Sequence, residues 1–166
     1  MREDLKETPG RVQRAYEEMF DGYDTDIDSI FKTFDGEGQD QIVVVKDIVS
    51  WSVCEHHLLS VELLVHVAYL PRTKVIGASK IERLVHAYAH RLQLQERIAR
   101  QIADAMMNRL APQGVAVIIE GIHGCMRCRG VKSQSSKMVN SIMLGLFRED
   151  SALRMEVLSL LGLRNV

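Results

Sequence analysis

A chain of 166 residues holds one domain's worth of protein, so any larger machine must come from association of copies. With 46% hydrophobic and 26% charged residues it is not a disordered polymer. Its longest uncharged stretches, Leu110–Ile119 and Met138–Phe147, are ten residues each, against the ~20 that a membrane span needs. The net charge of −1 conceals an asymmetry: residues 1–40 carry 12 acidic against 5 basic side chains, residues 41–166 carry 10 against 16. The basic remainder suits an anionic ligand, a nucleotide or nucleic acid, or is simply neutralised by the acidic segment. The first thirty residues are acidic and lack an apolar leader, so the expected location is cytoplasmic. There, three cysteines are free thiols or metal ligands rather than a disulfide framework.

In chain order, Thr8-Pro9 predicts a helix start, with Thr8 as N-cap and Pro9 at the first helical position. Val12, Ala15, Tyr16, Met19 and Phe20 follow as one apolar stripe, and Gly22 stops it. A short second helix is expected over Asp24–Phe34, then a loop at Gly36-Glu37-Gly38. Ile42–Val45 and Ile48–Val53 read as strand, Leu58–Leu70 as a second, ended by Pro71. Ser79-Lys80-Ile81-Glu82 matches a capping box. Ile81, Leu84, Val85, Tyr88, Ala89 and Leu92 then mark a helix, and a second is expected over Gln95–Leu110. Val115–His123 and Met138–Phe147 read as strands, and Ser151–Leu161 as a closing helix. The order ββααββ predicts an α+β fold, an antiparallel sheet with a helix pair on one face. An N-terminal helical segment, residues 1–40, precedes a catalytic domain, residues 41–166.

The densest chemistry is Cys54-Glu55-His56-His57. On a strand, positions i and i+3 face opposite sides, whereas in a helical turn they share one and make half a metal site. His123 and Cys125, at i and i+2, share a face if the backbone is extended. Cys54, His57 and Cys125 would hold Zn²⁺ with a fourth position open, which is the catalytic arrangement. A rival set adds Cys128, from Cys125-Met126-Arg127-Cys128, and closes a structural site; the plainest alternative leaves Cys54 and Cys125 as core thiols. His56 and His123 adjoin ligands and are placed for acid–base work; His66 lies mid-strand, and His86 and His90, at i and i+4 on one helix, could bind metal but without further ligands suit a solvated face or polar interface. Gly77 ahead of Ser79, with Lys80 and Arg83 on the first turn, suits an anion at a helix N-terminus. Arg129, Lys132, Arg11 and Arg14 could add to it. Gln95-Glu96 could receive guanine, whose N1–H and amino group both donate, although a carboxylate there also gains from the helix dipole.

Cys54–His57, Val75–Lys80, Gln93–Arg97 and His123 through Gly130 resemble the signature blocks of GTP cyclohydrolase I. So do Thr8–Val12, Pro112–Val117 and Gly145–Phe147, in order and at family spacing from about residue 7 to residue 161. The resemblance implies a tunnelling fold and a toroidal homodecamer with active sites at subunit interfaces. It implies a zinc held by Cys54, His57 and Cys125, a water that attacks C8 of GTP, and His56, His123 and Ser79 as catalytic side chains, with His123 moving a proton at N7. Gln95 and Glu96 would read guanine, and Lys80, Arg83, Arg129, Arg11 and Arg14 would hold the ribose and triphosphate. The implied products are formate and 7,8-dihydroneopterin triphosphate, with neither nucleic acid nor membrane as partner. Two features depart from the family. After Leu58-Leu59 it reads Pro-Phe-x-Gly-Lys, and here Ser60-Val61-Glu62-Leu63-Leu64 stands instead, so the turn is built differently or becomes continuous strand. Cys128 is the other.

Overall fold

β-branched runs build the centre of the molecule. In the computed structural model, which describes residues 2–162, the long strands β2 (Val43–Cys54), β3 (Ser60–Leu70), β6 (Gly114–His123) and β7 (Met138–Gly145) lie antiparallel. A two-residue strand β5 (Leu92–Gln93) joins β2 in parallel, giving the order β5-β2-β3-β6-β7. Leu63, Val65, Val67 and Tyr69 of β3, with Val115, Val117 and Ile119 of β6, form one core with helices α3 (Ala78–Ala89) and α4 (Gln95–Leu110). The helices contribute Ile81, Leu84, Val85, Ile98, Ile102 and Met106, the stripes expected from their 3.6-residue period. The alternate residues Ala68, Leu70, Ala116 and Ile118 meet Phe147 of α6 (Leu146–Glu149), Val157 of α7 (Ser151–Leu160) and Leu161 just after it. Polar–apolar alternation therefore fades toward Leu70, where both sheet faces are covered.

The N-terminal part is helix α1 (Thr8–Met19), a one-turn helix α2 (Ile27–Ile30) and strand β1 (Thr33–Asp35). β1 pairs with β4 (Lys74–Ile76), and Ile30 is buried in the main core.

Several boundaries differ from expectation for identifiable reasons. Glu7, not Thr8, is the cap of α1, so Pro9 stands second in the helix. The helix expected over Asp24–Phe34 shrinks to one turn, capped by Asp26, because Thr33–Asp35 is taken up by pairing with β4. The capping box at Ser79 does not form: Gly77 is the cap, α3 begins at Ala78, and no side chain bonds the free amides. Leu92 leaves the helix for β5. The two segments Ile42–Val45 and Ile48–Val53 are one strand with a bulge, at which Asp47 takes φ +61°. Strand β7 stops at Gly145 rather than Phe147, since φ +59° there turns the chain into α6.

Candidate active site

One end of the sheet gathers the chemistry. Strand pairing sets Val53 opposite Ser60, Val61 opposite His123, and Cys54 beside Gln93. Beyond Cys54 the chain turns tightly: the Cys54 carbonyl accepts from the His57 and Leu58 amides at 3.2 and 2.9 Å, and the Cys54 amide donates to Leu59 O at 2.9 Å. Leu58, at φ +53°, reverses the chain with the left-handed conformation that glycine more often supplies. Ser60 then starts β3 directly, which is how the turn closes without the family's Pro and Gly. The turn puts Cys54 and His57 on one side, with Sγ 3.5 Å from Nδ1.

His123 and Cys125 do not share an extended strand face. β6 ends at His123, and Gly124–Arg127 forms a single helical turn, α5, that carries Cys125. Gly124 is required there because a Cβ would stand 2.7 Å from the Ser60 carbonyl oxygen. The donor atoms of Cys54, His57 and Cys125 all lie within 4.8 Å of one another. Tetrahedral Zn²⁺, with Zn–S ~2.3 Å and Zn–N ~2.0 Å, places its sulfur and nitrogen ligands about 3.5 Å apart, matching the Cys54–His57 spacing. Cys128 is exposed at the end of α5 and stands outside this donor set. Burial and the neighbouring Cys54 push the Cys125 thiol up, a balance that a bound dication reverses.

The three donors line a cavity of about 190 Å³ together with His56, His123, Gln93, Gln95, Glu96 and several apolar side chains. His123 is held below the usual imidazole range by burial, against a smaller opposing pull from Glu96. His56 is exposed, its ring perpendicular to that of His57 with centroids 6.1 Å apart. Arg129 reaches the rim, with Nη1 3.5 Å from His57 Nε2. Glu96 is exposed on the first turn of α4, whereas Gln95 is 3% exposed and its amide is bonded within the chain. Gln93 is buried, and its Oε1 has no partner among the described residues. Gln93, marked in the sequence only as the first residue of the block Gln93–Arg97, lines the cavity, and Asn140 reaches it through its bond to Gln95, with no sequence signal beyond its polarity.

The remaining expected residues lie elsewhere. Ser79 and Lys80 sit at the N-terminus of α3, and its other end leads through His90 and Arg91 into β5 beside Cys54. Twelve helical residues span about 18 Å, which separates Ser79 and Lys80 from the cavity of their own chain. Arg83 lines a different surface cavity with Asp21, His86 and His90. Arg11 is paired with Glu7 at 2.7 Å, and both Arg11 and Arg14 are exposed on α1.

The family model for GTP cyclohydrolase I matches residues 1–162. A protein named GTP cyclohydrolase 1 from Caldanaerobacter subterraneus subsp. tengcongensis is 48% identical over 162 residues, covering 97% of this chain and 86% of that one. Another of that name, from Pelotomaculum thermopropionicum, is 50% identical over 161 residues, covering 96% and 86%. The crystal structure of archaeosine synthase QueF-Like in the apo form superposes with a TM-score of 0.53 at 20% identity. The match covers 63% of this chain and 93% of that one, and it is a likeness of fold alone, the tunnelling fold. The donor cluster and the near full-length identity agree: this chain belongs to the GTP cyclohydrolase I family, enzymes that convert GTP to dihydroneopterin triphosphate.

Proposed function

We propose that the cavity at the end of the sheet holds a catalytic zinc and converts GTP to 7,8-dihydroneopterin triphosphate and formate. The observation that carries this reading is the convergence of Cys54, His57 and Cys125 in one cavity with His123 and Glu96. Cys54, His57 and Cys125 would hold the ion, and a zinc bound by these three donors would supply the Lewis acid that activates a water. His123, held below the usual imidazole range by its burial, exchanges a proton at N7 of the purine, and the more exposed His56 passes protons between cavity and solvent. Glu96 accepts from guanine N1–H and the 2-amino group, with Gln95 beside it. Arg129 faces the phosphate side of the cavity.

The catalytic Ser79 and the ribose and triphosphate contacts of Lys80, Arg83, Arg11 and Arg14 come from neighbouring copies in a toroidal decamer. The length of α3 supports this, because it holds Ser79 and Lys80 far from their own chain's cavity. The helix N-terminus they carry has free amides and suits a phosphate.

The test is incubation with GTP and zinc, followed by assay of formate and of an oxidisable, fluorescent pterin, with native mass measured in parallel. Stoichiometric release of both products, lost on chelation, supports the reading. Release of formate without a pterin would assign the chain a different ring-opening product, and neither product would overturn the reaction.

A further inference from the structure

The amide of Gln95 is the most heavily bonded polar group in the cavity wall. Its Nε2 lies 3.0 Å from Ile119 O, 3.0 Å from Met138 O and 2.8 Å from Asn140 Oδ1. Its Oε1 lies 3.0 Å from His123 Nε2. Two of the Nε2 partners are backbone carbonyls, which only accept. A flipped amide would set oxygen against oxygen, so the NH₂ end must face the strands and the oxygen must face His123. Oxygen facing a ring nitrogen at hydrogen-bond distance requires that nitrogen to donate.

The sheet is shaped for this. Asn140 stands opposite Ile119 in the β6–β7 pairing, and Met138 opposite Gly121. At Gly121 a Cβ would fall 1.9 Å from Gln95 Oε1 and 3.1 Å from His123 Nε2, so the amide occupies the space a side chain would fill. Gln95 itself is 3% exposed at the start of α4, so the network is shielded from competing water.

The geometry points to Gln95 as a positioning residue: held by Asn140 and two strand carbonyls, it locks His123 as the Nε2–H tautomer and leaves Nδ1 as the free base. This rests on the reading of His123 as the proton-transfer group. It changes the expected part of Gln95, whose NH₂ group is fully taken up within the chain and whose oxygen faces His123, and leaves base recognition in this pair to Glu96.

The test is a ¹⁵N solid-state spectrum, at one fixed pH, of zinc-loaded protein labelled at histidine, with the His123 signals assigned as those lost in His123→Asn. Wild type should show His123 as a single Nε2–H tautomer. Gln95→Leu should give a tautomer mixture and lower kcat by about tenfold or more, with KM for GTP changed by about twofold or less and zinc content intact. Gly121→Ala, whose methyl must displace the amide, should give the same mixture with every polar partner still present. A single Nε2–H tautomer in both variants would overturn the proposal. So would a raised KM at unchanged kcat in Gln95→Leu, the signature of a direct guanine contact. A wild-type enzyme that releases no formate from GTP would overturn the assigned reaction, whereas the spectra alone decide the tautomer lock.

Discussion

Arg97 on α4 grips the Glu55 carboxylate in the turn between Cys54 and His57 with two hydrogen bonds, Nη1 to Oε2 at 2.6 Å and Nη2 to Oε1 at 3.3 Å. The guanidinium holds the Glu55 carboxyl below the usual carboxylate range. The pair joins the helix that carries Gln95 and Glu96 to the turn between Cys54 and His57. Arg97→Met should therefore loosen that turn and weaken zinc binding by about tenfold or less, since the pair is partly solvated and one residue removed from the ligands. Competition against a chelating dye measures it.

The two residues flanking Gly124 should separate metal binding from chemistry. Cys125→Ala should lose both zinc and turnover, because two remaining donors do not hold the ion. His123→Ala should keep stoichiometric zinc and lose pterin formation by roughly 10²–10⁴-fold, the usual worth of a positioned acid–base group. Metal analysis alongside a pterin fluorescence assay distinguishes the two, and full turnover by His123→Ala would remove its assigned role.

Cys128 is exposed and outside the donor set. Cys128→Ser should leave zinc stoichiometry and pterin formation unchanged. Loss of zinc from that variant would make Cys128 a fourth ligand and close the position that the reaction needs.

If active sites are shared between copies, two inactive variants should complement each other. Lys80→Ala and Cys125→Ala remove groups from opposite ends of α3's span. Co-expressed, they should form mixed assemblies in which some cavities receive both intact contributions, and pterin formation should partly return. Activity no higher than the sum of the separate variants would place the complete site within one chain.

His66 offers a pH prediction away from the site. It is 3% exposed on β3, and its Nδ1 accepts the Asp47 amide at the β2 bulge, at 3.1 Å. Burial lowers its pKa, against smaller opposing pulls from Asp47 and Glu120 and with a small further push down from Lys46. Between the depressed folded value and the ordinary one near 6.5, the unfolded chain binds more protons, so stability falls as pH falls. His66→Gln should flatten the decline of the denaturation midpoint that begins near pH 6.5, relative to wild type under the same metal loading. An unchanged slope would assign the decline to another group, such as half-buried His86, whose pKa desolvation also lowers.

Much of the fold was legible in local pattern. The bounds of α4 follow from Ile98, Ile102, Ala105 and Met106 on one face, with Pro112 just beyond its end. The ββααββ order follows from β-branched runs that switch to helical spacing. Less legible were the places where a long-range partner overrides local preference. Thr33–Asp35 becomes strand because β4 pairs with it, and Ser79 leaves the cap position because Gly77 takes it.

By itself the sequence determined which atoms are available: two thiols and an imidazole that suit zinc, a carboxylate that suits guanine, and cations for phosphates. Those properties belong to side chains wherever they lie. Only the tertiary structure decided how they meet. The register of β2, β3 and β6 brings Cys54 and His123 to one sheet end, Leu58 at positive φ folds His57 back toward Cys54, and the helical turn after His123 swings in Cys125. It also decided that the Gln95 amide turns inward to His123, because Gly121 leaves the room and two strand carbonyls dictate the amide's direction. Such contacts join residues distant in the chain, and local spacing carries no record of them.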